Sequence, residues 1–148
     1  MNSTLEKPTR DKLIVRINLL NEDKVAVWGK MNVFQMIKHC ILWEEMVFGV
    51  KKYNRVFIGR IFGKMALKSI LKDEKSLKRN TPTIPEFVIK ETTGDLTHEK
   101  IKWVALIEQY EHFAHDNFIH PFFGKMAKEQ IGYMAYKHID HHLRQFGA

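Results

Sequence analysis

Apolar residues recur at helical spacing in five stretches of the chain, and strand-like alternation appears nowhere at any length. Leu13, Ile14, Ile17 and Leu20 predict a first helix, capped by Thr9 or Asp11 after a short disordered start and ended by Asn21-Glu22-Asp23. Asn32 with Gln35 three residues later reads as a capping box, opening a second helix from Val33 to Phe48 that Gly49 stops. That helix is apolar around most of its circumference, as expected of one packed on several sides.

Ile58, Ile61, Phe62 and Met65 predict a third helix from Phe57 to about Lys72, with these residues turned to the core and Arg60, Lys64, Lys68 and Lys72 on the opposite face. Gly59 and Gly63 each cost about 1 kcal/mol there unless close packing compensates. Pro82 and Pro85 break any helix, so Asp73 to Thr93 is expected to be a long irregular crossing of the kind that often lines a site. Asp95 or Thr97 caps a fourth helix whose stripe is Trp103, Leu106, Ile107, Tyr110, Phe113 and Ala114. A second loop from His115 to Pro121 leads to a final helix from near Ala127 to Phe146. The pattern predicts an all-α fold, an antiparallel helical bundle forming one domain over residues 1–148, with sites built from side chains on facing helices.

Composition narrows the setting. With 148 residues and 45% hydrophobic residues, one core closes without staples. The single cysteine, Cys40, and a polar start without a signal-peptide core favour the cytoplasm. No apolar run approaches the roughly 18 residues of a membrane span, so no membrane partner is expected. The net charge of +7 is regional: Lys51 to Arg79 holds ten Lys or Arg against Asp73 and Glu74. That stripe reads as a solvated face ahead of a nucleic-acid surface, because no DNA-binding motif or base-stacking aromatic set accompanies it. Pairing of apolar bundle faces into a homodimer is expected.

The candidate chemistry lies in histidines. Three of the eight fall within five positions, His138, His141 and His142. On a helix His138 and His142 are one turn apart, about 6 Å between Cβ atoms, and share a face with Ile131, Met134 and Ala135. His141 turns somewhat aside. His39, mid-way along the second helix, shares its face with Gln35, Met36, Trp43 and Met46 and is the natural third ligand. Three neutral imidazoles on one divalent metal leave a position for water or substrate. Ile139, where a zincin protease needs glutamate, argues against that chemistry, and no glutamate lies three residues before any histidine, as a di-iron bundle requires. His112 and His115, with Glu108 and Glu111, read instead as a solvated face. Cys40 sits about 100° round the helix from His39 and reads as a packing residue.

Trp28-Gly29-Lys30-Met31-Asn32, Gln35-Met36 and His39, then Thr81-Pro82-Thr83-Ile84-Pro85, His120-Pro121-Phe122-Phe123-Gly124-Lys125, Tyr136-Lys137-His138 to His142 and Arg144-Gln145-Phe146-Gly147 together resemble the DinB/YfiT-like superfamily of metalloenzymes, in a branch with no assigned reaction. The resemblance implies a four-helix bundle with an additional helical segment and long loops, holding a divalent metal through His39, His138 and His142. The superfamily includes transferases that use low-molecular-weight thiols. Met126-Ala127 stands where a capping Ser or Thr is expected, so the start of the last helix is expected to fray or shift. The resulting expectation is a divalent-metal site, zinc first and nickel or iron after it, lined by His120, His141, Gln35 and Trp43. Its leading activity is transfer of a small thiol to an electrophile, with metal-dependent hydrolysis second and a non-catalytic metal- or ligand-binding module third.

Overall fold

The structure, a computed structural model, describes residues 1–114 and 117–148. His115 lies outside the described residues, and with it the reading that paired His112 and His115. Among the described residues five α-helices carry nearly all the regular structure: α1 (Lys7–Asn18), α2 (Val33–Val47), α3 (Phe57–Ile70), α4 (Leu96–Glu108) and α5 (Lys128–Gln145). Short 3-10 turns occupy Pro85–Phe87 and Gln109–His112. The one departure from an all-helical chain is a two-residue antiparallel pair, β1 (Ile119–His120) with β2 (Gly124–Lys125), inside the expected second loop. None of these helices is long and apolar enough to cross a membrane.

Local chemistry explains the helix starts. The Asn32 side chain accepts the Gln35 amide at 2.9 Å while the Gln35 side chain accepts the Asn32 amide at 3.1 Å, the expected reciprocal box. Asp95 caps α4 by accepting the His98 amide at 2.9 Å. At α5 the side chain of Gln130 accepts the Ala127 amide at 3.0 Å, which holds the helix start without a capping hydroxyl. The first helix begins earlier than Thr9, at Lys7, because Pro8 in its first turn is already set for helical φ. Residues before it are ordered: Ser3 and Thr4 are buried, and the Thr4 amide reaches the Gly132 carbonyl of α5.

The helix α2 packs on α4 and α5, and α1 packs on the same two. One core joins the first half of α2, with Ile37 and Ile41, to the last turns of α5, with Ile139 and Leu143. A second joins Trp43 and Val47 of α2 to Ile131 and Ala135 of α5. The two helices therefore run in opposite directions, which sets the middle of α2 beside the middle of α5.

The third helix is rotated by about half a turn from the sequence expectation. Gly59, Gly63 and Leu67 are buried, whereas Ile58, Ile61, Phe62 and Met65 face outward. A Cβ at Gly63 would sit 2.0 Å from the Phe122 carbonyl oxygen, so the hairpin backbone lies directly on the two glycines. Periodicity finds two faces here, and the close approach that only glycine allows decides between them. Ala114, assigned to the α4 stripe, is also exposed.

Beside Trp43, Glu44 is fully buried and its Oε2 accepts the Tyr110 hydroxyl at 2.5 Å. Burial pushes its carboxyl up to about 8. Between pH 4.5 and 8 the folded chain therefore keeps a proton that the unfolded chain has lost, and stability falls as pH rises through that window. Replacing the group by a neutral amide removes this penalty, which approaches about 4 kcal/mol at the upper end. Urea unfolding is expected to show Glu44→Gln gaining on the native protein by several kcal/mol more at pH 8 than at pH 5; an equal difference at both values contradicts the assignment.

Candidate metal centre

The antiparallel contact of α2 and α5 brings His39, His138 and His142 together, and one nitrogen of each lies within 4.8 Å of the other two. All three side chains are buried. Ring centroids are 5.2 Å apart for His39 and His138, 4.9 Å for His39 and His142, and 4.7 Å for His138 and His142. The Nε2 atoms of His39 and His138 approach to 3.2 Å. Two nitrogens bound tetrahedrally to zinc at about 2.05 Å stand roughly 3.3 Å apart, so the spacing fits a shared cation.

The hydrogen bonds behind the rings determine what the rings present. His39 Nδ1 lies 3.0 Å from the Phe87 carbonyl, which can only accept, so this nitrogen carries the proton and Nε2 keeps its lone pair. His142 Nδ1 lies 2.8 Å from Gln145 Oε1. The orientation of that amide is set by its own Nε2, which donates to the Trp28 carbonyl at 2.7 Å, so His142 donates from Nδ1 and also presents Nε2. A Cβ at Gly29 would stand 2.5 Å from Gln145 Nε2, and Gly29 has φ of +85°; glycine makes this approach available. Among the described residues the buried His138 Nδ1 has no hydrogen-bond partner, whereas its Nε2 faces the His39 Nε2 lone pair, a contact that draws the His138 proton to Nε2 until a cation takes its place. The donor set fits a divalent metal: neutral nitrogens, two with their ring orientation fixed from behind.

The expected lining residues divide. Trp43 belongs to the site, its ring 4.9 Å from His138 and 5.1 Å from His120. His120 accepts the Phe122 and Phe123 amides on Nδ1 at 3.0 and 3.1 Å, holding the hairpin turn, and stands outside the converging set, its ring against Trp43. His141 turns to the Trp28 ring, 5.6 Å away, and is not among the converging nitrogens. Gln35 stays at the helix cap, where its Nε2 donates to the Ile89 carbonyl and ties the long crossing to α2. Through Phe87 that crossing does line the site. Gln145 and Gly29 received no role from the sequence; the signal for Gln145 was its place one turn after His142 on the same helix face.

Electrostatics follow from burial. Desolvation lowers the pKa of His39, takes His138 well below the ordinary value and pushes His142 down to about 3. His120 is likewise pushed down to about 3 by burial and by the Arg55 charge. Cys40 is sealed in the core with its sulfur 3.8 Å from Met36 Sδ, and burial raises its thiol, so it is no nucleophile.

Fold and cluster define a mostly helical protein with three buried imidazoles placed to share one cation. The family described as "Protein of unknown function (DUF1569)" matches residues 1–148, and the chain belongs to it. No curated protein and no solved structure matches the chain.

Because only neutral imidazole binds a metal, proton competition sets in below the folded-state pKa. Three unperturbed histidines would lose about four orders of magnitude in metal affinity between pH 7 and pH 5. With all three lowered, the loss moves below the pH of about 6 near which ordinary imidazoles protonate. Zinc titration of the folded protein at pH 7 and 5 is expected to differ by no more than about a hundredfold; a loss of four orders contradicts buried neutral ligands.

Proposed function

We propose that this chain is a DinB/YfiT-like four-helix bundle, built from α1, α2, α4 and α5 with α3 as the additional segment, in which His39, His138 and His142 hold one divalent cation, zinc ahead of nickel or iron. The observation that carries the reading is that the Nε2 lone pairs of His39 and His142 converge with the His138 ring while no carboxylate or thiol among the described residues joins them. Three protein nitrogens leave a tetrahedral ion one free position, the arrangement of catalytic rather than structural zinc. The resemblance of Trp28-Gly29, Thr81 to Pro85 and the histidine-rich ending to that superfamily supports the same reading.

The proposed reaction is transfer of a small thiol to an electrophile. When bound, such a cation supplies Lewis acidity that favours the deprotonated form of a thiol at neutral pH. The thiol is external, because the only cysteine is sealed away from the cluster. In balance, a bond forms between the thiol sulfur and the electrophilic carbon, the bond to the leaving group breaks with its electron pair, and the thiol proton passes to solvent. Around the site the rings of Trp43 and Phe87 exclude water, while the Phe87 carbonyl and Gln145 keep two imidazoles oriented.

Protein purified without an affinity tag is expected to bind one equivalent of zinc, with His39→Ala and His138→Ala weakened by about a hundredfold or more. Stoichiometric metal in both variants would remove the site. With a chromogenic electrophile, turnover is expected to require both metal and a cysteine-derived thiol; turnover of esters or amides without thiol would assign hydrolysis in its place.

A further inference from the structure

Among the described residues, nothing covers the apolar outer face of α3. Phe57, Ile58, Ile61, Phe62 and Met65 project from it over a little more than two turns, each between 47% and 78% exposed. The cause is the Gly59-Gly63-Leu67 ridge, which spends the helix's close packing on the hairpin backbone and leaves its larger apolar side chains outside. Charge accompanies the patch. From Lys51 to Lys72 the chain has seven basic residues and no acidic one. Lys51 is paired with Glu45, Arg55 donates to the Pro121 and Gly59 carbonyls and Lys64 to the Lys125 carbonyl, which leaves Lys52, Arg60, Lys68 and Lys72 beside the patch as the charges without a partner among the described residues. At 100° per residue Arg60 and Lys64 border the apolar sector, not the face opposite it that the sequence reading expected, and Lys68 and Lys72 continue the sector beyond Met65.

We propose that this face docks the protein reversibly on the surface of an anionic phospholipid bilayer. A helix lying in the membrane interface needs large apolar side chains at its apex and basic residues at the flank, long enough to reach phosphate while the apex enters the acyl boundary. The face of α3 meets both requirements with contiguous residues. A second copy suits it less well: a symmetric pairing sets the same patch against itself, bringing two acid-free basic edges together. A nucleic acid would match the charge and leave the five apolar side chains in water. The expectation of no membrane partner rested on the lack of a spanning helix, which an interfacial helix does not require. The metal centre is not involved, so this inference and the proposed reaction stand or fall separately.

Sedimentation with extruded vesicles tests it, using phosphatidylcholine alone and phosphatidylcholine with about 30% phosphatidylglycerol. The native protein is expected to partition onto the anionic vesicles about tenfold or more above the zwitterionic ones, and to release in 0.5 M salt, roughly. Ile61→Ser with Phe62→Ser is expected to lose about tenfold of that binding. Lys68→Glu, which reverses one charge near the surface, is expected to lose about twentyfold. Both substitutions replace exposed side chains, and unchanged circular dichroism and thermal unfolding confirm the fold. Absence of vesicle binding, equal binding to both lipids, or binding to duplex DNA but not to vesicles overturns the proposal. So does a stable dimer in analytical ultracentrifugation that the Ile61→Ser, Phe62→Ser variant dissociates, since the face would then belong to a second copy.

Discussion

Three imidazoles crowded into one apolar space must stay uncharged, and the arrangement of the chain around them follows from that requirement. Protonation of any one would bury a cation next to two neighbours, a cost of several kcal/mol. The structure holds the rings neutral by desolvation, and hydrogen bonds behind them keep the proton on the rear nitrogen of His39 and of His142. The first partner comes from elsewhere in the chain, and the second, three residues along α5, is set from elsewhere. The Phe87 carbonyl is supplied by the proline-bounded crossing, and Gln145 is itself aligned by the Trp28-Gly29 turn ahead of α2. Segments distant in sequence thus meet at the centre for a shared electrostatic reason.

Supports away from the centre preserve this geometry. Asp140, two residues from both His138 and His142 and on the other side of the helix, is held by Arg16 of α1 and Arg144 of its own helix at 2.8 Å each, which fixes the rotation of α5. Lys137 donates to the carbonyls of Ile70, Asp73 and Lys75, tying the end of α3 and the start of the long crossing to the same helix. Buried polar groups with full sets of partners specify one register, and here they hold the element that carries two of the three imidazoles.

Much of this was legible in the sequence. The capping box at Asn32 and Gln35, the spacing of His138 and His142 and the buried face of His39 are local facts, set by the 3.6-residue period and by side-chain chemistry. The rotation of α3 was not legible, because it depends on the Phe122 backbone lying on Gly59 and Gly63, a contact between segments far apart in sequence. Pro8 starting α1 ahead of Thr9 was readable but outweighed by the preference for a hydroxyl or carboxylate cap. His141 shows the limit of proximity: it neighbours two of the converging histidines and still points elsewhere, since adjacent helical positions differ by about 100°. Nothing in local pattern reveals that His120 holds a hairpin turn, because the turn itself is set by the pairing of Ile119–His120 with Gly124–Lys125.

The central claim is that His39, His138 and His142 act together as the ligands of one cation. X-ray absorption at the zinc edge of the metal-loaded protein tests it most directly, because the scattering counts imidazoles and measures their distance. Three imidazole nitrogens at about 2.0–2.1 Å with one lighter ligand are predicted, falling to two imidazoles in any residual zinc bound by His39→Ala. In buffer free of small thiols, a shell containing sulfur at about 2.3 Å, or fewer than three imidazoles in the native protein, would contradict the account.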